Sequence, residues 1–470
     1  MNKQISYERL IALYIPWVLS SLLSNDPVFS YFIAWSGSFF TFAVTLTGWV
    51  KPLPDDLKFG EQLMRPLILV QIIFAGYMCC TSIFYLMDTL GYTYFEKPSS
   101  YFLLDESRLL AIAQCQRYYL LAHTAFVSGI LVFMNYPKKQ KFIYDSARIT
   151  SLLFYMAIIT FPLYLLFNKL PGLSQFSNQF SSLSFIAVTL ALAFAIPEKK
   201  VWNTLICLFL YFSNFYSALT SGFKEPIIIS VMVLGIFLYP NYKKVVLLTF
   251  IPFLFILFLL LPTYARIFRE NAWEGVTSED EAAQLALNSA FGNDPDSEVD
   301  NTNWGFMVYR LSEIDMFIKF VQSTPEKVDY YGFDLVKQSA IVIVPRIFWP
   351  SKPSTEELVM ERVYDAGVIY RGSKVSAKPA YVVDAYLSGG QLGIFIALFI
   401  YGAIAQLISQ KAEELFGGYL LGTALIFSGL FQIFWRGLSF EFIANTVFWS
   451  FITMLIIHYI LKTKNIIQKA

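Results

Sequence analysis

Stretches of about twenty mainly apolar residues recur along this chain, each long enough for one helix to cross a hydrocarbon core about 30 Å thick. About twelve can be counted, near 8–24, 28–48, 65–88, 112–135, 148–167, 181–196, 201–220, 226–239, 245–262, 391–409, 418–435 and 440–461. A chain built this way has few folds open to it, because in lipid every backbone N–H and C=O must find its partner inside the protein, and a helix does so alone. Composition agrees: 56% of the residues are hydrophobic and 15% charged, so lipid is the solvent and the 470 residues count helices instead of soluble domains. The expected fold is an all-α integral membrane protein of about twelve transmembrane helices, with one large extracytoplasmic loop carrying short amphipathic helices. The first apolar stretch, interrupted by Pro16 and lacking a small-residue cleavage motif, is expected to stay as a spanning helix.

Lysine and arginine in short loops are retained on the cytoplasmic side. They gather at Lys138, Lys139, Lys141 and Arg148, at Lys199 and Lys200, at Lys243 and Lys244, at Lys411, and at Lys462, Lys464 and Lys469. These clusters fall on every second connection, as a consistent threading requires. Extended backwards, the rule puts Lys51, Lys58 and the N-terminus with Lys3 inside, so both termini are expected in the cytoplasm. The long polar interval then falls outside, with the short turns around Lys224 and Arg436. The expected division is a bundle of about nine helices over 1–262, a large outer loop over 263–390, and about three further helices over 391–470.

The loop carries patterns of its own. Met307, Val308, Leu311, Ile314, Phe317, Ile318 and Val321 recur at three and four, the stripe of an amphipathic helix with Arg310 one turn from Ile314. Ser354-Thr355-Glu356-Glu357 caps a second short helix that ends at Gly367. Between them, 335–344 is too short to span and is followed by Pro345 and Pro350, so it reads as an interfacial or re-entrant piece. The acidic, Asn-rich and Ser-rich stretch 278–303 reads as a solvated, mobile excursion.

Several function classes fall away. A net charge of +1 gives no basic face for nucleic acid. Cys79, Cys80, Cys115 and Cys207 lie in or beside apolar runs without metal spacing, and His123 and His458 are far apart, so neither a disulfide framework nor a metal site is supported. No internal repeat relates the halves, which weighs against a transporter built from inverted repeats.

The charges set among apolar residues remain. Arg310, Arg346 and Arg371 have two readings: planar forks suited to phosphate, able together to stabilise a diphosphate leaving group without a metal, or ion pairs with Glu313, Asp315 or Glu361. Lys224, one residue before Glu225 and Pro226 at a helix start, is an anion site in outline or a snorkelling lysine paired with Glu225. Arg266 and Arg269 follow a span as headgroup anchors, and Arg436 with Glu441 occupies another outer turn, as site residues or as a pair holding that turn. For acid or base work the candidates are Glu313, Asp315, Asp365 and Asp384.

Three local words join these charges: Ser221-Gly222-Phe223-Lys224, Arg310 on a loop helix, and Ile343-Val344-Pro345-Arg346-Ile347-Phe348-Trp349-Pro350-Ser351-Lys352-Pro353. The first looks like a degenerate Gly-Ser-Arg-Gly turn and the last is similar to a proline-arginine, tryptophan-proline and lysine-proline word. After them Gly389-Gly390-Gln391-Leu392-Gly393 opens the next membrane helix. With the many helices and the late outer loop, the C-terminal half resembles the O-antigen polymerase (Wzy-like) family of oligosaccharide repeat-unit polymerases. The turn at Lys224 departs from the pattern, with phenylalanine and lysine in place of the expected residues.

The resemblance implies a glycosyltransferase in a bacterial cytoplasmic membrane that moves a growing glycan from an undecaprenyl diphosphate carrier to a lipid-linked repeat unit. It implies no cofactor or metal. Arg310, Arg346 and Arg371, with Lys224, Arg436 and Lys352, would hold the diphosphates, and Glu313 or Asp315 would orient or deprotonate the acceptor hydroxyl. Membrane lipid, a chain-length regulator and a flippase of the same pathway are the implied partners. The rival readings are a glycan ligase using the same donor and a transporter or flippase for such lipids.

Overall fold

The computed structural model describes residues 6–470 apart from 137–139, 171–176, 223, 274, 276, 292–298, 346–347 and 374–376. The chain is a mainly helical membrane protein and divides into two compact units, one of 1–58, 64–143 and 307–470 and one of 59–63 and 144–306. Compactness thus cuts the chain at different places from the loop lengths, which suggested 1–262, 263–390 and 391–470.

The larger unit begins with α1 (Tyr7–Ala12) and α2 (Ile15–Leu22). The expected first span, near 8–24, is therefore two short helices, because Pro16 lacks the N–H to continue one ladder and is suited to the first turn of the next. Next come α3 (Pro27–Leu46), α4 (Gln71–Thr89) and α5 (Glu106–Phe133). Helix α5 is the axis of this unit and is packed against α3 and α15 (Tyr381–Phe416). A side chain at Gly129 would strike the backbone at Phe399, and one at Gly402 would strike the backbone at Phe126. The two helices therefore cross with their main chains touching, the close approach that small residues permit between membrane helices. Polar side chains inside the bundle answer one another: Gln71 Nε2 lies 3.1 Å from His123 Nε2, and Ser82 Oγ donates to Gln116 Oε1 at 2.7 Å.

Helix α15 starts at Tyr381 and not near 391. Its helical geometry breaks at Gly389 and Gly390, the latter at φ 60, where an L side chain is strained. The unit closes with α16 (Leu420–Leu430), α17 (Ile433–Arg436) and α18 (Phe440–Thr463). The C-terminal residue Ala470 donates its N–H to the Lys141 carbonyl at 3.0 Å.

In the second unit α6 (Ile149–Lys169) packs on α7 (Ser177–Ala195), and α8 (Val201–Leu219) and α9 (Lys224–Ala272) follow. The segments expected at 226–239 and 245–262 are the two arms of α9, interrupted where Tyr242 leaves helical geometry just after Pro240. Helix α10 (Glu279–Ala290) lies in the stretch that reads as a solvated excursion. It forms because Ser278 and Glu281 close a capping box and because Ala282, Ala286 and Ala290, four apart, make a small face buried on Leu257, Leu261, Tyr264 and Phe268. Helix α11 (Val299–Gly305) ends this unit.

Among the described residues six helices are long and apolar enough to cross a membrane: α3, α4, α6, α9, α15 and α18, taking α6 with its preceding turn. Helix α5 is not among them; it carries Glu106, Arg108 and Arg117 and is buried along most of its length.

Between the units' boundary and α15 lie three short helices of the larger unit, α12 (Ile314–Ser323), α13 (Asp334–Ile343) and α14 (Thr355–Asp365). The single amphipathic helix expected over 307–321 is broken. A wide turn over Phe306–Arg310 is followed by Glu313 in the left-handed region (φ 55), and only then does α12 begin. Its apolar stripe, Ile314, Phe317, Ile318 and Val321, is buried within the protein, with the Phe317 and Tyr119 rings stacked at 5.3 Å.

Candidate functional site

At one end of the larger unit, the end of α4, the first turn of α5, the wide turn over Phe306–Arg310 and the start of α12 bring together Tyr85, Asp88, Arg108, Tyr309 and Asp315. Asp105 caps α5 by accepting from the Arg108 N–H at 3.0 Å, which fixes the root of the arginine. The Arg108 guanidinium lies over the Tyr85 ring, 4.5 Å from its centroid, and donates from Nε to the Tyr85 hydroxyl at 3.2 Å. Tyr85 in turn donates to Asp315 Oδ1 at 2.7 Å. A second arginine nitrogen reaches Asp88 at 3.4 Å, and the Tyr309 hydroxyl donates to the same carboxylate oxygen at 3.4 Å. Lys319 Nζ stands 3.8 Å from the other Asp315 oxygen. The Tyr119 hydroxyl holds the Ser312 carbonyl at 2.9 Å, so the turn that delivers Asp315 is pinned to α5.

The cluster is partly open to solvent: the side chains of Arg108 and Asp315 are 31% and 32% exposed, while Tyr85 between them is buried. Burial pushes the Tyr309 phenol up, so it stays a donor. A carboxylate oriented by a phenol beside a guanidinium is chemically suited to position a hydroxyl next to a bound anion.

An aromatic layer adjoins the cluster. Phe317 meets the Tyr386 ring edge-on at 5.8 Å, Tyr118 lies 5.3 Å from Tyr386, and the Tyr386 hydroxyl donates to the Thr324 carbonyl at 2.7 Å. Two residues before Tyr386 sits Asp384, in a closed ion cluster. Arg362 donates to Asp384 from Nε at 2.9 Å and Nη2 at 2.8 Å, and to Glu441 from Nη1 and Nη2 at 2.8 Å each. The Phe440 N–H adds a bond to Asp384 at 2.8 Å. All three side chains are at most 1% exposed. Burial alone would lower the Arg362 pKa, but Asp384 and Glu441 outweigh it and hold the guanidinium above its ordinary value.

Several residues singled out in the sequence land elsewhere. Asp384, a candidate base, is enclosed with both oxygens engaged by Arg362, so no hydroxyl reaches it. Glu441 pairs with Arg362, so the reading in which it pairs with Arg436 to hold the turn does not apply; Arg436 itself is half-buried in the last turn of α17. Arg371 is ion-paired on the surface, with Glu361 at 2.9 Å and Asp365 at 3.1 Å; Glu361 first and Asp365 second hold it above its ordinary pKa. Lys352 is buried, not offered to a ligand, and its Nζ donates to the Val342 and Val344 carbonyls at 2.9 and 2.6 Å. Lys224 stands 3.6 Å over the Phe306 ring at the start of α9. Glu313 is half-buried at the left-handed turn, Asp315 belongs to the cluster, and Arg310 is exposed on the wide turn next to Tyr309. Arg346 lies outside the described residues.

Sequence reading did not single out Arg108, Tyr85 or Asp88. A signal was present: Asp88 ends one apolar segment and Arg108 opens the next, which puts both charges at the same end of neighbouring helices. Among the described residues no group of three or more His, Cys, Asp or Glu is arranged to hold a metal ion.

A family model described as a domain of unknown function (DUF8712) matches residues 15–469. No curated protein and no solved structure matches the chain.

Proposed function

The chain belongs to this family, and we propose that it is a glycan repeat-unit polymerase acting at the outer face of a bacterial cytoplasmic membrane. The observation that carries the reading is the pair of half-buried side chains Arg108 and Asp315 joined through the buried Tyr85 phenol. It lies at the bundle end that the lysine and arginine pattern assigns to the outside, with exposed Arg310 next in sequence to Tyr309. The pattern assigns the starts of α15 and α18 to that side as well, and Arg362 links them. In this reading α1 with α2, α5, α7, α8, α16 and both arms of α9 complete a threading of about twelve crossings with both termini in the cytoplasm.

The donor is a glycan on undecaprenyl diphosphate and the acceptor is a lipid-linked repeat unit. The acceptor oxygen attacks the anomeric carbon, the bond from that carbon to the diphosphate oxygen breaks, and the carrier diphosphate leaves with the electron pair. Arg108, Arg310 and Arg346 balance the diphosphate charge. Asp315, held by Tyr85, orients the acceptor hydroxyl and takes its proton, which passes to water. Glu313 sets the turn from which Asp315 is presented.

Purified protein given one lipid-linked repeat unit is expected to yield a ladder of longer products. A single product that forms only with a second type of acceptor makes it a ligase. Movement of labelled lipid across a vesicle wall with no new glycosidic bond makes it a flippase.

A further inference from the structure

Helix α13 has two apolar faces, and only one of them is covered by protein. Leu335, Ser339 and Val342 are buried, and α13 packs along α18. On its other side Phe333, Val336, Ile341 and Val344 are 80%, 51%, 36% and 37% exposed. Its charges, Asp334 and Lys337, pair with each other in the first turn at 2.7 Å, and the stretch 338–344 carries none.

The far end of α13 is closed in a way that water would not require. The Ile341 carbonyl accepts from the Val344 N–H at 3.3 Å, Val342 and Val344 from Lys352 Nζ, Ile343 from Trp449 Nε1 at 2.9 Å, and Pro345 from the Phe348 N–H at 3.0 Å. Five consecutive carbonyls at a helix end are thus satisfied inside the protein, where an exposed helix leaves its last ones to solvent. Lys352 is 6% exposed, so a buried ammonium is committed to this end.

Depth follows from α18. Trp449 lies nine residues along that helix from Phe440, about 14 Å at 1.5 Å per residue. Even with all of α18's excess over a ~30 Å hydrocarbon core at this end, Trp449 is more than one helical turn inside. The start of α13 is tied to the other end of the descent, with the Tyr331 N–H on the Leu387 carbonyl at 2.9 Å, three residues from Asp384 of the Arg362 clamp.

We propose that α13 is a re-entrant helix that enters the membrane leaflet at the clamp end. The stripe Phe333, Val336, Ile341 and Val344 lies against lipid chains, and Lys352 and Trp449 seal the submerged helix end. The occupant of the stripe is lipid hydrocarbon, because α13 packs along α18, a helix long and apolar enough to cross a membrane whose Phe448, Leu455 and Ile456 are exposed. Backbone at that depth is tolerated only when its polar groups are satisfied by protein, as the carbonyls of 341–345 are. The inference does not depend on the polymerase reading.

Spin labels on single cysteines at 337, 341 and 344 of the full chain in lipid vesicles test it, with the unsubstituted chain as background for its four native cysteines. Relaxation by oxygen is expected to exceed relaxation by a water-soluble nickel chelate at 341 and 344, and the order to reverse at 337. Chelate access at 341 and 344 overturns the proposal in favour of a surface helix. Loss of both accessibilities there also overturns it, since a second copy or another protein then covers the stripe. In Lys352→Met the label at 344 is expected to shift toward the chelate; should that variant not fold, the three exposed positions decide alone.

Discussion

Arg362 and Arg108 sit near the same end of the larger unit, each beside two carboxylates or a carboxylate and a phenol, yet they do different things. Arg362 is sealed, with every bond of the Asp384 and Glu441 carboxylates to it between 2.8 and 2.9 Å. Arg108 is open, its nearest carboxylate 3.4 Å away and its best partner a phenol. A second sealed arginine makes the contrast sharper. Near the other end of α15, Arg65 donates to Asp56 at 2.8 and 2.6 Å and to Glu413 at 3.0 and 2.9 Å, with the Tyr136 ring 3.9 Å from its carbon. Arginine among acids is therefore no mark of a site by itself; what separates lock from site is whether the donors are all used and whether a ligand has access.

Arg362→Ala gives the largest expected effect. It strands two buried carboxylates and should cost about 3–5 kcal/mol, enough to lose most folded protein. The check is thermal unfolding and yield from membranes. Replacing Arg362, Asp384 and Glu441 together by apolar residues of similar size should restore much of the loss, because the desolvation of all three charges disappears. A single variant that melts normally would remove the lock from the comparison.

The open cluster should answer the other way. Arg108→Gln and Asp315→Asn are expected to lower polymer formation by roughly 10²-fold or more while the melting temperature stays near that of the parent chain. Arg346→Ala should abolish polymer and leave the protein in the membrane. If Asp315→Asn melts as early as Arg362→Ala, the cluster is a lock too and the contrast collapses. Full-length polymer from Arg346→Ala takes that residue out of the site.

Much of the helical architecture can be read from the sequence because period and length are local properties. The Ser354 capping box needs four residues, and the apolar length of α18 needs only a count. What cannot be read this way depends on contact at a distance. Nothing local says that Glu441 pairs with Arg362, 79 residues earlier, instead of Arg436, five residues earlier. Nothing local says that the turn at Glu313 breaks a continuous stripe, since the Tyr119 hydroxyl that holds the Ser312 carbonyl comes from another helix. Lys352 looks like a ligand group in its word, and only the fold shows its nitrogen capping α13. At α10 the period is present but composition masks it, because alanines four apart lie in an acidic stretch.

A smaller effect separates the two sealed arginines. Burial opposes ionisation of Asp56, but the Arg65 hydrogen bonds and charge outweigh it and hold the carboxyl below its ordinary value of 3.8. A depressed folded-state value means that the contribution is complete above the unfolded-state pKa and is lost as pH falls through the folded-state one. Stability should therefore decline on acidification below about pH 4, and Asp56→Asn should remove that part of the decline. The two unfolding curves against pH would coincide if Asp56 were not coupled to folding.

The smallest effect belongs to Arg371. Its ion pairs with Glu361 and Asp365 are exposed, with about 60% of the arginine side chain in solvent. Exposed pairs of this kind gain little, because water screens the attraction and two long side chains must be ordered to make it. Arg371→Ala should leave the melting temperature unchanged within error, at low and at high salt, so stability cannot account for any loss of activity. The variant therefore asks a single question of this surface. If polymer length or rate falls while melting does not, Arg371 leaves its carboxylates to meet the diphosphate; if both stay as they were, the pair is a solvated surface contact and the phosphate reading of Arg371 ends.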